Sequence, residues 1–86
     1  MATNNAESHQ KCTTKFIELA NTMTEEGLSI GLVSAALMSA SCVYATFAVA
    51  GNDGGLNPSG VRKVVDTYER NLKELQALKK KEAGKA

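Results

Sequence analysis

The chain has no tryptophan, a single proline and a single histidine, and it carries no charged residue between Glu26 and Asp53. Each shortage excludes something. One histidine and two cysteines, Cys12 and Cys42, with no Cys-x-x-Cys spacing, are too few for a closed zinc site. With no cysteine framework, the natural reading is two thiols in a reducing compartment. A net charge of +1 gives no broad electrostatic pull toward nucleic acid or anionic lipid. The four aromatic side chains make neither a membrane-interface belt nor an interleaved basic patch. Met1 to Glu7 is polar and lacks the basic-then-apolar order of a secretory signal.

What is present favours helix. Alanine, leucine, lysine and glutamate dominate, all good helix formers. Eighty-six residues allow one domain with a modest core, for which self-association is an obvious supplement. Three segments show helical periodicity. From about residue 8 to 24, Cys12, Phe16, Leu19, Ala20 and Met23 recur at three- and four-residue steps. Ser8, Thr13 and Thr14 are candidate caps for its start, and Gly27 is a natural stop. The uncharged segment supplies a second helix over 29–50. Its bulk (Ile30, Leu32, Val33, Leu37, Val43, Tyr44, Phe47) gathers on one side, and small residues, among them Gly31, Ala35 and Ser39, on the other. Gly51 to Leu56 reads as a linker. Asn57-Pro58 then opens a third helix to about 81, with a near-heptad stripe of Val61, Val64, Val65, Tyr68, Leu72, Leu75 and Leu78. Asp66 with Arg70 and Glu69 with Lys73 have ion-pair spacing.

The expected fold is therefore all-α, a compact three-helix arrangement with antiparallel helices over about 8–24, 29–50 and 58–81. Residues 1–7 are expected to be a disordered tail, 8–81 the single domain and 82–86 a frayed end. Turning the chain near Gly54 sets large side chains of the second and third helices against small ones, and turning it at Gly27 sets Cys12 level with Cys42 and Phe16 with Met38. A rival reading takes 29–50 as a single membrane span, since its length suffices. Against that stand four serines, a threonine and a tyrosine within it, and the absence of flanking Lys or Arg.

The run Lys15-Phe16-Ile17-Glu18-Leu19-Ala20-Asn21, followed by Val33-Ser34-Ala35-Ala36-Leu37-Met38 and by Tyr44-Ala45-Thr46-Phe47-Ala48-Val49-Ala50, resembles an uncharacterised bacterial family of small helical proteins, domain of unknown function 3144. The resemblance spans about Phe16 to Leu72. It implies a soluble bacterial protein and supplies no catalytic residue. The chain departs from the family pattern at Val43, Tyr44 and Ala45, where a more polar triplet is expected; a binding role for that triplet would not carry over.

Candidate chemistry is sparse. No Ser-His-Asp set, carboxylate dyad or phosphate-binding glycine fingerprint is present, so no catalytic residue, metal site or cofactor is assigned. His9 reads as a solvated surface residue. Cys12 lies one turn from His9 and beside Lys11, the nearest approach to an activated thiol, yet it also fits the buried stripe. A redox pair of Cys12 and Cys42 is the enzymatic alternative. Asn57, Ser59 and Gly60 with Arg62 and Lys63 offer a weak anion site at a helix start, weighed against an ordinary capped turn. Asp53 alone is too few carboxylates for a calcium loop. The basic Lys79-to-Lys85 end suits a helix C-terminus. The favoured function is a non-enzymatic cytoplasmic interaction module, partnered by itself as a homodimer or by another protein, with no specific nucleic acid and no membrane. Its candidate surface is Gly31, Ala35, Ser39, Leu75 and Leu78.

Overall fold

A computed structural model describes residues 5–51 and 54–84. Residues 1–4 of the expected tail at 1–7, Asn52 and Asp53 of the linker, and the last two residues lie outside the described residues. The fold is all-α: helices α1 (Ala6–Glu25), α2 (Ile30–Ala50) and α3 (Pro58–Ala83), with no strand among the described residues. The chain divides within α2 into two units, residues 1–42 and 43–86.

In the first unit, α1 begins two residues earlier than the periodicity predicts. The cap is Asn5 rather than Ser8, Thr13 or Thr14, and its Oδ1 accepts the Ser8 N–H at 2.8 Å. An asparagine there satisfies an orphan donor of the first turn, which an apolar stripe cannot reveal. Glu7 in that turn complements the helix dipole and lies 3.2 Å from Lys11. At the far end, the Gly27 N–H donates to Thr24 O and the Leu28 N–H to Met23 O, at 3.0 and 3.2 Å. This is a Schellman ending, and Gly27 takes the left-handed φ of 104° it requires. Ser29 then starts α2: its Oγ accepts the Leu32 N–H at 3.1 Å and its carbonyl the Val33 N–H at 3.0 Å.

Only residues 26–29 separate α1 from α2. Apart from half-buried Ser8 at the start of α1, burial in the first unit falls near that turn. Val33 is 7% exposed, and Ala20, Met23 and Thr24 are half-buried across the turn from it. Further along α1, Cys12, Phe16 and Leu19 are exposed. The sequence stripe is there, but only its end next to the turn is covered.

In the second unit, α2 closes on Gly51, whose N–H donates to Phe47 O at 2.9 Å with φ 73°. Asn57 caps α3 as expected. Its Oδ1 accepts from Gly60 N and from Ser59 Oγ, both at 2.8 Å, with Pro58 inside the first turn. Gly60 is buried because Leu56 folds over it; a Cβ there would meet Leu56 Cδ2 at 3.3 Å. Ala45, Thr46 and Ala50 on α2, Leu56 in the connection and Val64 on α3 are half-buried. Helix α3 runs to Ala83, two residues past the predicted end, because Lys80 and Lys81 in its last turn complement the dipole. Glu69 pairs with Lys73 at 2.8 Å as the spacing predicts. Asp66 lies 3.7 Å from Arg62, its i−4 neighbour, rather than pairing forward with Arg70. The two arginines stand one helical turn to either side, and a short aspartate stem reaches one of them.

Because Asn57 serves two donors at once, Asn57→Ala is expected to destabilise the chain by about 1 kcal/mol. Asn57→Asp, which keeps the acceptor, should lose a fraction of that. Urea unfolding followed by helical circular dichroism measures both.

Candidate functional site

The side chains singled out from the sequence fall into three groups. The anion group sits at the start of α3, and two of its first-turn backbone donors, at Gly60 and Val61, are engaged. Pro58 has no N–H, Gly60 gives its N–H to Asn57 Oδ1, and the Val61 N–H goes to Asn57 O at 3.0 Å. The Asn57 oxygen accepts and would repel an anion. Arg62 is drawn toward Asp66, in a pair exposed to solvent. This geometry is that of a well-capped helix.

The thiols both belong to the first unit and both are exposed, Cys12 on α1 and Cys42 on α2. The burial that the α1 stripe implied for Cys12 is therefore not observed, since nothing covers that part of the stripe. His9 is exposed near the start of α1, and its carbonyl accepts the Thr13 hydroxyl at 2.9 Å. Among the described residues, no three His, Cys, Asp or Glu side chains gather as a metal site would require.

The interaction group is exposed throughout. A Cβ on Gly31 would meet nothing within 4 Å, and Ala35 and Ser39 continue that open stripe along α2. Leu75 and Leu78 stand exposed on α3. The apolar surface is wider than the sequence selection of five residues. Ile30 is 78% exposed and Tyr44 72%, with Leu32, Val43 and Val49 also more than half exposed. Tyr44 and Phe47 form an edge-to-face pair on the surface of α2, ring centroids 6.1 Å apart. Two of the three positions where the chain departs from its expected polar triplet, Val43 and Tyr44, are thus surface positions, and Ala45 is half-buried. The helical wheel puts Ile30, Leu32, Val43, Tyr44 and Phe47, though not Val49, on the bulky side of α2, so the signal that would have placed them outside is absent from the pattern. By length and composition, α2 is also apolar enough to cross a membrane.

Comparison with known proteins adds a family. The sequence profile of a family described as protein of unknown function, DUF3144, matches residues 9–76. No curated protein and no solved structure matches the chain.

Proposed function

The chain belongs to the DUF3144 family of proteins of unknown function, and we propose that it works as a non-enzymatic, cytoplasmic helical module that binds other protein helices. One observation carries the reading. Val33 is the single buried hydrophobic residue among the described ones, while large apolar side chains stand exposed along all three helices. Monomeric soluble proteins rarely leave contiguous apolar patches beyond about 300–600 Å² uncovered. Covering such surface gains roughly 25 cal/mol per Å². A protein partner, a second copy or another chain, supplies that cover. The reading needs no metal or cofactor and no specific nucleic acid.

The membrane alternative has its own observation in the length and apolarity of α2. Lipid contact is disfavoured by Ser34, Ser39, Ser41 and Thr46 within the helix and by Glu26 near its start, with no Lys or Arg at either end. The thiol-redox alternative has exposed cysteines but a single histidine in the chain to activate them.

The test is purification in reductant without detergent, followed by titration with an apolar dye. A soluble, helical chain that either self-associates or binds the dye supports the module. A sharp monomer that ignores the dye would overturn it, because its apolar surface is then satisfied within the chain. Material rescued only by detergent would make α2 a membrane segment.

A further inference from the structure

Helix α3 lies wholly in the second unit, and its apolar residues recur at alternating steps of four and three: Val61, Val65, Tyr68, Leu72 and Leu75. This is the a/d spacing of a coiled-coil seam. All five are exposed, between 44% and 50%. The flanks of the seam differ. Directly beside it on one side lie Arg62, Glu69 and Gln76; on the other lie Val64, Asn71 and Leu78, without charge. In an antiparallel pair of identical helices each flank meets its own copy, so a flank carrying one cation and one anion can complement itself.

Resting on the interaction reading above, we infer that the partner of α3 is a second copy of α3, antiparallel, with Arg62 of each chain facing Glu69 of the other. In this register Val61 lies level with Leu72 of the second copy and Val65 with its Tyr68, so each layer sets a smaller side chain against a larger one, as interdigitated packing requires. Charge selects the register. Sliding the pair by one heptad in one direction brings Arg62 against its own copy, and in the other direction Glu69 against its own copy. Like charges across an interface are penalised, and complementary ones fix the alignment. Arg62 and Glu69 have intrahelical neighbours, Asp66 and Lys73, but all four side chains are more than half exposed, which leaves both free to turn toward a facing helix. The seam itself stays apolar over its central layers, and Lys79, the next seam position, closes it.

The test is sedimentation equilibrium of the full chain in reductant, comparing wild type, R62E, E69R and the double variant R62E/E69R. Wild type is expected at twice the 9.1 kDa chain mass. Each single variant should weaken self-association by about tenfold or more, and the double variant should restore it. Restoration isolates the contact between chains, because the double variant keeps the intrahelical repulsions that each single change introduces, a glutamate beside Asp66 and an arginine beside Lys73. Circular dichroism confirms that the variants remain helical. A wild-type dimer indifferent to all three variants overturns this register while leaving the interaction reading intact. A monomer that binds apolar dye overturns the second copy as partner, and a monomer that does not bind it overturns both.

Discussion

Val33→Asp is expected to unfold the first unit, with a loss of roughly 3 kcal/mol or more. Val33 is 7% exposed, the one hydrophobic side chain buried among the described residues, and it sits just past the turn that joins α1 to α2. An aspartate there has to lose its hydration; half-buried Ala20 and Met23 offer no side-chain donor, and Thr24 already gives its hydroxyl to Asn21 O at 2.8 Å. Val33→Ala removes two methyl groups without adding charge and should cost about 1–2 kcal/mol, below the larger truncations because less volume is removed. The measurement is thermal unfolding by circular dichroism, with amide exchange over residues 20–40 to locate the loss. Ile30→Asp is the matched control. Ile30 is 78% exposed on the same helix, and its substitution in the isolated chain should leave the melting temperature nearly unchanged. Equal losses at Val33 and Ile30 would mean that α2 is covered along its whole length in solution, not at its start alone.

Gly27→Val carries the second large effect, about 2 kcal/mol. Gly27 holds φ at 104° so that two N–H groups can turn back to the last carbonyls of α1. There is open space around the position where a Cβ would go, so the cost is conformational and not a clash with a neighbour. A β-branched residue is the least tolerant of this region, whereas asparagine adopts it more readily. Gly27→Asn should therefore cost well under half as much as Gly27→Val. Gly55→Ala, also in open space but without a positive φ, should be close to neutral. Denaturant midpoints of the three variants separate backbone strain from packing. If Gly27→Val and Gly55→Ala fall together, the Schellman ending does not hold the turn.

These two sites also divide what was legible from what was not. Gly27 as a stop, Asn57-Pro58 as a start and the uncharged run as one helix were readable from residue chemistry. Capping and glycine act through groups a few positions away in sequence. The family was readable too, because its marks are short runs such as Phe16-Ile17-Glu18-Leu19-Ala20-Asn21 that remain contiguous whatever the fold. Asn5 was missed because an asparagine pair before a polar first turn looks like any tail; the capping bond from Ser8 identifies which of the two is the cap.

Burial was the harder quantity. On a helical wheel Val33, Leu32, Val43 and Phe47 share one bulky side of α2, and Cys12 shares a stripe with Ala20 and Met23 on α1. The structure buries Val33 and half-buries Ala20 and Met23, and it leaves Leu32, Val43, Phe47 and Cys12 exposed. Periodicity reports which residues lie on the same side of a helix, since that follows from 3.6 residues per turn. Whether another surface covers that side depends on where the chain returns in space, and periodicity carries no term for it. By itself, then, the sequence determined three helices, their stops and caps, the absence of charge along α2 and the family. Only the tertiary structure decided that full burial is confined to Val33 and Gly60, each a few residues past a connection between helices, and that the apolar stripe of α3 stands exposed, because burial depends on where the chain returns in space.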